Sequence, residues 1–457
     1  MRKFIGDWNF YKKIFALAIP IMIQNGITNF VNMLDNIMIG RVGTVEMTGV
    51  AISNQLIFVF NLCVFGAISG AGIFGAQFFG KNDHDGVRYT FRYKVIVSFI
   101  ITLIGVSVFF FFGNDISRMY LMGEGSAADV QNSLRFAREY MLIMLIGLLP
   151  YSLAQCYSGT LRETGQATVP MFAGVGAVIV NLVFNYLLIF GKFGFPKLGV
   201  HGAAIATVIS RFFELFIVAL WTHKNQNENI FIKGVYKSFN IPKVLVKNIT
   251  LKGLPLMINE TMWAAGVAIV NQTYSTRGYD VVSANNICQT FFNVFGVAFM
   301  AVGAAIAIIL GQMLGASEEK LAKEASFKLI AFSVFVSSVV SVLFFLCSGF
   351  IPNLYNTGAT VKATATSLMR ICALTMPLEA FAHASYFTLR SGGKTVITII
   401  FDSCFVWLIT YPAAFLLCNF TSLSILWIFA ICQSLNLIKC VAGYILVDKG
   451  IWIKNIV

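Results

Sequence analysis

The chain has 457 residues, of which 58% are hydrophobic and only 12% are charged, and its formal net charge is +13. A soluble domain typically carries about 25% charged residues, so this composition excludes a soluble globular protein. A membrane β-barrel is also excluded, because its strands need alternating polar and apolar residues over roughly ten positions, and the sequence lacks that pattern.

Apolar segments of roughly 20 residues, the length that crosses a hydrocarbon core of about 30 Å, recur along the whole chain. They predict an all-α polytopic membrane protein with twelve transmembrane helices. We place the spans at 14–39, 52–79, 95–112, 136–160, 168–190, 199–221, 250–275, 283–314, 327–347, 366–389, 395–418 and 423–447.

Basic residues are concentrated in alternate loops, for example Lys12 and Lys13 before the first span and Lys233 and Lys237 after the sixth. The positive-inside rule assigns these loops to the cytoplasm. We therefore expect a multi-pass protein of the plasma (inner) membrane with both termini cytoplasmic. Topology accounts for the positive net charge, so the expected partner is the lipid bilayer and not a nucleic acid.

The first span contains an acid. The stretch NFVNMLDNIMIGRVG (29–43) places Asp35 among apolar residues, and with a rise of about 1.5 Å per residue it lies roughly 22 Å beyond Pro20, toward the outer face. An isolated carboxylate in hydrocarbon costs several kcal/mol, so Asp35 is expected to face the protein interior and to take a proton or coordinate a cation. Pro20 removes a backbone hydrogen bond, which predicts a hinge.

Polar side chains on the fifth and sixth spans are candidate partners of Asp35. Asn181 and Asn185 are four residues apart, on one face of a helix, and Thr207 lies on the sixth span. Carboxylate, amide and hydroxyl oxygens are hard donors that suit Na⁺ or a proton. We predict a cation site in this half from these four residues, although an Asn or Thr taken singly is more often part of a helix–helix hydrogen bond.

The second half has its own intramembrane acids. Glu260 follows Pro255, a second predicted hinge, and Glu379 shares a helix face with His383. With no second His or Cys cluster nearby, we interpret the last two as a proton relay or a cation-attracting wall, with a buried structural pair as the alternative. No metal site is expected beyond Na⁺ at Asp35 or Glu260. The same half has two more charges inside spans, and the sequence leaves the role of the acid open: Asp402 and Lys439.

Motifs of known catalytic chemistry are missing from the sequence, including GxxxxGK[ST], HExxH and GxSxG. We therefore expect a protein that is not an enzyme and has no cofactor. The nine cysteines show no CxxC spacing, and we interpret them as apolar packing residues. Because the ATP-binding motif GxxxxGK[ST] is missing, an ion gradient is the energy source that we expect.

The two halves of the chain repeat each other. LAIPIMIQN (17–25) aligns with KGLPLMINE (252–260), and GAQFFGK (75–81) aligns with LGQMLGA (310–316). Six spans in each half make this a parallel repeat, related by an axis along the membrane normal. We therefore predict two six-helix bundles and divide the chain into an N-lobe (1–222), a cytoplasmic linker (223–249) and a C-lobe (250–457).

Several of these segments together resemble a known family. The runs PIMIQN (20–25), VNMLDNIMIGRVG (31–43) and GAISGAGIFGAQFFGK (66–81) are similar to the first two helices of the multidrug and toxic compound extrusion (MATE) family. The paired TLRETG (160–165) and TLRSGG (388–393) extend the resemblance through both halves.

This resemblance implies a twelve-helix efflux antiporter whose two bundles are related by pseudo-twofold symmetry. It would exchange Na⁺ or H⁺, the coupling ion, for amphipathic organic cations by alternating access, and we expect it to act as a monomer. The positions that match the family's N-lobe ion site are Asp35, Asn181, Asn185 and Thr207. Two acids match the NorM-like branch, Glu260 and Glu379.

Three alternatives come from other functional classes. A lipid-linked oligosaccharide flippase shares the parent superfamily, but it would be expected to have a strongly cationic cavity for phosphates. A channel needs no alternating access, and the paired halves and hinge prolines argue against it. A receptor or scaffold would normally carry a soluble partner domain.

Overall fold

The computed structural model describes residues 4–120, 127–355 and 357–457. Within these ranges the chain is built from helices and contains no β-strand. The all-α fold class predicted from the sequence is confirmed.

Ten long helices account for the first ten spans. They are α1 (Trp8–Gly40), α2 (Thr44–Gly80), α3 (His84–Tyr120), α4 (Ala127–Glu163), α5 (Thr168–Phe190), α6 (Val200–Lys224), α7 (Lys243–Ser275), α8 (Tyr279–Gly315), α9 (Glu319–Cys347) and α10 (Ala359–Ser391). Most extend several residues beyond the predicted spans, because a helix continues after its apolar section has left the hydrocarbon.

The last two spans are irregular. The eleventh consists of α11 (Thr395–Ile399), two π-helical segments (Ile400–Cys404 and Val406–Thr410) and α12 (Tyr411–Phe420). The twelfth comprises two helices, α13 (Ile425–Ser434) and α14 (Asn436–Asp448), which join at Leu435, a residue that keeps right-handed helical dihedral angles. Thr395–Phe420 and Ile425–Asp448 are nevertheless long and apolar enough to cross a membrane, in agreement with the spans predicted at 395–418 and 423–447.

Eleven helical segments of the described chain are long and apolar enough to cross a membrane. The remaining span is α10, which packs against α8, α9, α13 and α14. Its inner face includes Leu368, Met369 and Met376, all of which are buried. Because α10 is covered by other helices, its sequence needs less apolar surface toward lipid. The predicted twelve-helix polytopic fold is consistent with all of these elements.

The chain divides into two compact units. The C-unit comprises Met1–Met22, Ala76–Asp83 and Leu251–Val457, and the N-unit comprises Ile23–Gly75 and His84–Thr250. The helix α1 passes from one unit to the other after Met22. The lobe and linker boundaries proposed from the sequence stay a prediction.

The polar segment after α6 is ordered within the N-unit. It forms two short 3₁₀ turns, Ile230–Ile232 and Val235–Lys237. Arg92 of α3 is buried and donates hydrogen bonds of 2.8–3.2 Å to three carbonyl oxygens, those of Gly234, Val235 and Asn240. Because these carbonyls accept from Arg92, the segment is held against α3.

Repeat-equivalent glycines meet in the C-unit. Gly80 at the end of α2 lies against the main chain of Gln312 on α8, and Gly315 lies against the main chain of Gln77. A Cβ built on either glycine would stand 2.7 Å from the Cα atom of the opposite glutamine. The aligned GAQFFGK and LGQMLGA motifs therefore make reciprocal contacts that only glycine permits.

We predict that Gly80→Ala and Gly315→Ala each lower the melting temperature of the purified protein by about 2–5 °C, because the added methyl group overpacks a backbone contact. The measurement is thermal unfolding in detergent, followed by tryptophan fluorescence.

Gly113→Ala in α3 is the matched control, since a Cβ there meets nothing within 4 Å. It should leave the melting temperature unchanged or raise it slightly through helix propensity. Equal melting temperatures for all three variants would contradict the close crossing.

Candidate cation sites

Asp35 lies near the C-terminal end of α1, beside α5. The Asn185 side chain donates a hydrogen bond of 2.7 Å from Nδ2 to Asp35 Oδ1 and one of 3.1 Å to Asn181 Oδ1. Asn185 is 1% exposed and Asn181 is 6% exposed. The i, i+4 spacing thus places both amides on the helix face that meets the acid.

The Asn181 amide links this pair to α6. Its Nδ2 lies 3.2 Å from Thr207 Oγ1, and the Thr207 hydroxyl also donates to the Ala203 carbonyl oxygen. Turned over, the same amide accepts from Thr207 and donates to Asp35 Oδ2 at 3.0 Å. The structure therefore brings together all four residues predicted for this half.

Asp35 has neutral hydrogen-bond partners. None of the ion pairs formed by the described residues includes it. Next to it, Asn185 Oδ1 is buried without a hydrogen-bond partner in the described chain. A carboxylate beside an unused amide oxygen is a donor set suited to a small hard cation.

The two predicted hinges lie inside continuous helices. Pro20 is within α1 and Pro255 is within α7. Each proline lacks a backbone N–H, so one helical hydrogen bond is missing at each point and bending costs less there.

Glu260 of α7 is contacted by two residues of α10. Tyr386 donates from its hydroxyl to Glu260 Oε1 at 3.2 Å, and Arg390 Nη1 lies 3.8 Å from the same oxygen. Arg390 is 4% exposed and stacks over the Phe387 ring. This predicted site residue therefore has a basic neighbour, unlike Asp35.

Glu379 and His383 go to different neighbours although they share α10. Asn436 of α14 donates to Glu379 Oε1 at 3.3 Å. The His383 ring packs between Phe299 and Phe387, and its Nδ1 is buried without a partner among the described residues. Neither a hydrogen bond nor an ion pair joins the two side chains in the described chain. The interpretation of these two residues as a proton relay or a cation-attracting wall stays a prediction.

Sequence reasoning missed two buried ion pairs. Lys439 Nζ donates to Asp402 Oδ1 at 2.8 Å in the C-unit. In the N-unit Lys94 Nζ donates to both oxygens of Glu163, at 2.7 and 2.6 Å, and to Thr160 Oγ1 at 2.9 Å. The available signal was the presence of opposite charges on apolar spans of the same half.

Within the described chain, no three His, Cys, Asp or Glu side chains are placed to hold a metal ion together.

Comparison with known proteins gives matches over most of the chain. The family model described as MatE matches residues 20–187 and 255–416. The probable multidrug resistance protein NorM of Thermotoga maritima is 24% identical over 429 residues, covering 91% of this chain and 88% of its own. The probable multidrug resistance protein YoeA of Bacillus subtilis is 23% identical over 417 residues, covering 91% and 89%.

A solved structure has the same fold. It is described as the outward-facing conformation of a multidrug resistance MATE family transporter of the MOP superfamily. It matches with a TM-score of 0.87 and 19% identity, and the match covers 98% of this chain and 96% of the other.

The Lys94–Glu163 pair generates a prediction about stability. Lys94 is 1% exposed, and removing one partner of a buried pair leaves an uncompensated charge that costs about 3–5 kcal/mol. Lys94→Met should therefore lower the melting temperature markedly in thermal unfolding of the purified protein.

The double variant Lys94→Met, Glu163→Gln removes both charges and should recover most of that loss. A double variant that is less stable than the single one would show that the acid does not depend on this lysine.

Proposed function

Because the chain belongs to the MatE family, we propose that it is a cation-coupled multidrug efflux antiporter that exports amphipathic organic cations by alternating access, with Na⁺ or H⁺ as the coupling ion. The membership makes it a membrane transporter. The coupling mechanism rests on one observation: Asp35 is an acid on a membrane-spanning helix whose contacts are neutral amides.

The chemistry of the site supports an exchangeable ion. A buried carboxylate with neutral partners gains more from a proton or small cation than one that already has a basic neighbour. With its NH₂ toward Asp35, the Asn181 amide gives the acid a further neutral donor, and a bound cation would have to replace these N–H contacts. Binding would then change the contacts between α1 and α5.

The proline in α1 supplies the path from ion binding to movement. Pro20 weakens the helix on the cytoplasmic side of Asp35. In the proposed cycle, ion entry at Asp35 from outside rearranges α1 and the organic cation leaves. After the ion departs to the cytoplasm, the transporter binds the next organic cation.

The flippase alternative requires cationic groups that are available to phosphates. Lys94 and Lys439, two of the buried cations, each donate to a carboxylate at less than 3 Å, and Arg390 lies near Glu260. This pairing favours the efflux function. The localisation that accompanies the proposal is the plasma (inner) membrane, with both termini cytoplasmic.

We predict that Asp35→Asn reduces gradient-driven efflux of ethidium by at least about tenfold, because the neutral amide can no longer exchange a proton or cation. The measurement is transport in proteoliposomes under Na⁺ and pH gradients imposed separately, which also identifies the coupling ion.

Asp115→Asn is the matched control, since Asp115 is an exposed acid on α3, and its transport should equal that of the wild type. Wild-type rates for Asp35→Asn under both gradients would remove the proposed mechanism. Export of lipid-linked sugar without ethidium efflux by the wild type would favour the flippase.

A second prediction concerns the hinge. Pro20→Ala restores a backbone donor to α1 and should slow ethidium transport several-fold while leaving its binding affinity close to that of the wild type. Pro150→Ala in α4 is the control, because Pro150 is also inside a long helix but is not on the proposed moving element. Equal transport rates for the two variants would argue against a role of Pro20 as a hinge.

A further inference from the structure

The backbone is irregular where the Asp402–Lys439 pair forms. Asp402 lies in the π-helical segment Ile400–Cys404, and Lys439 lies in the first turn of α14. Segments of π-helix are rare and occur frequently at functional sites, since the wider turn re-aims side chains. The π-helical segment that carries one member of this ion pair therefore indicates a functional site.

The lysine is held closely. Its Nζ donates to Asp402 Oδ1 at 2.8 Å and lies 5.5 and 5.6 Å from the ring centroids of Phe401 and Phe405. The exposed fractions of the Lys439 and Asp402 side chains are only 11% and 20%. The ammonium therefore combines a charge-assisted hydrogen bond with two aromatic faces, as a bound cation would.

The other oxygen of Asp402 is also engaged. Asn259 Nδ2 lies 3.4 Å from Asp402 Oδ2, and Ser403 fixes the Asn259 side chain by donating to its Oδ1 at 2.7 Å. The same Asn259 nitrogen is 3.2 Å from the Tyr386 hydroxyl, which donates to Glu260. One network thus connects Asp402 to the predicted acid of α7.

Other charged groups near the pair have separate partners. Arg390 lies 3.8 Å from Glu260, and Glu379 accepts from Asn436, three residues before Lys439 on α14. Lys439 is therefore the direct counter-ion of Asp402, and the neighbouring acids do not compete for it at hydrogen-bond distance in the described chain.

We propose that Lys439 is a specificity-determining residue: a tethered counter-ion that takes the place of a monovalent cation at Asp402 and prevents Na⁺ or a cationic substrate from binding to this acid. A side chain on the same unit has a high effective concentration, so an external cation must displace the amine and leave it buried and unpaired. The inference concerns cation binding by the C-unit, and it rests on the proposed function only for its consequence in transport.

The test uses purified full-length protein and thermal unfolding, with NaCl replaced stepwise by N-methyl-D-glucamine chloride at constant ionic strength. Lys439→Met should create a Na⁺-dependent rise in melting temperature of roughly 4 °C or more beyond any wild-type response. The rise should be absent from Lys439→Met, Asp402→Asn. Lys439→Arg, which keeps the charge, should respond as the wild type does.

Asp402→Asn alone provides an independent readout if Lys439→Met does not fold. The melting temperature of this variant should respond to Na⁺ and to ethidium as that of the wild type does, because Asp402 binds neither cation in the wild type. A smaller change of melting temperature with either cation in Asp402→Asn would overturn the proposal. A Na⁺ response of Lys439→Met equal to that of the wild type would also overturn it. These outcomes report binding, so a failure of the proposed transport function would appear in the Asp35→Asn efflux assay and not here.

Discussion

A carboxylate inside a bilayer needs a proton or a positive partner, because an isolated charge there costs several kcal/mol. This chain meets that requirement in two ways. Glu163 and Asp402 each accept a hydrogen bond of less than 3 Å from a buried lysine, Lys94 and Lys439 respectively. Asp35 accepts from amide groups, which satisfy its oxygens without cancelling its charge. The kind of partner therefore separates acids that are paired with a lysine of the chain from Asp35, the acid at which we propose ion exchange.

Much of the fold could be predicted from the sequence, because the length of an apolar run decides whether it crosses the membrane. The π-helical segments of the eleventh span and the junction at Leu435 in the twelfth could not be predicted in this way. The π-helical segments fall within an apolar run, and the only local signal is Pro412, which lacks a backbone donor and follows the second segment directly. Leu435 gives no signal at all. The apolar run at 366–389 does predict α10, although its apolar section is less hydrophobic than those of the other spans and the helix is covered by neighbouring helices.

The candidate sites show the same limit. Asn181 and Asn185 could be placed on one face because a helix fixes the i, i+4 relation, and the structure puts both beside Asp35. Glu379 and His383 have the same spacing, but neither a hydrogen bond nor an ion pair joins their side chains in the described chain. Each of them interacts with a different neighbouring side chain. Spacing therefore shows which side chains share a helix face, whereas the contacts that these side chains make depend on packing. For this reason the lysine that pairs with Asp402 could not be identified in advance.

The two units differ in the charged groups on their membrane-spanning helices. Position 270, which aligns with Asp35 in the repeat, is a buried valine. The C-unit has acids of its own, but Asp402 is paired with an ammonium that belongs to the chain. Such a cation cannot be released on the other side of the membrane. It therefore cannot couple transport to an ion gradient, however steep that gradient is. An ion that arrives from solution and departs into solution can do so. If the proposed antiport holds, coupling at these two acids therefore falls to Asp35, on the helix that also carries the hinge proline.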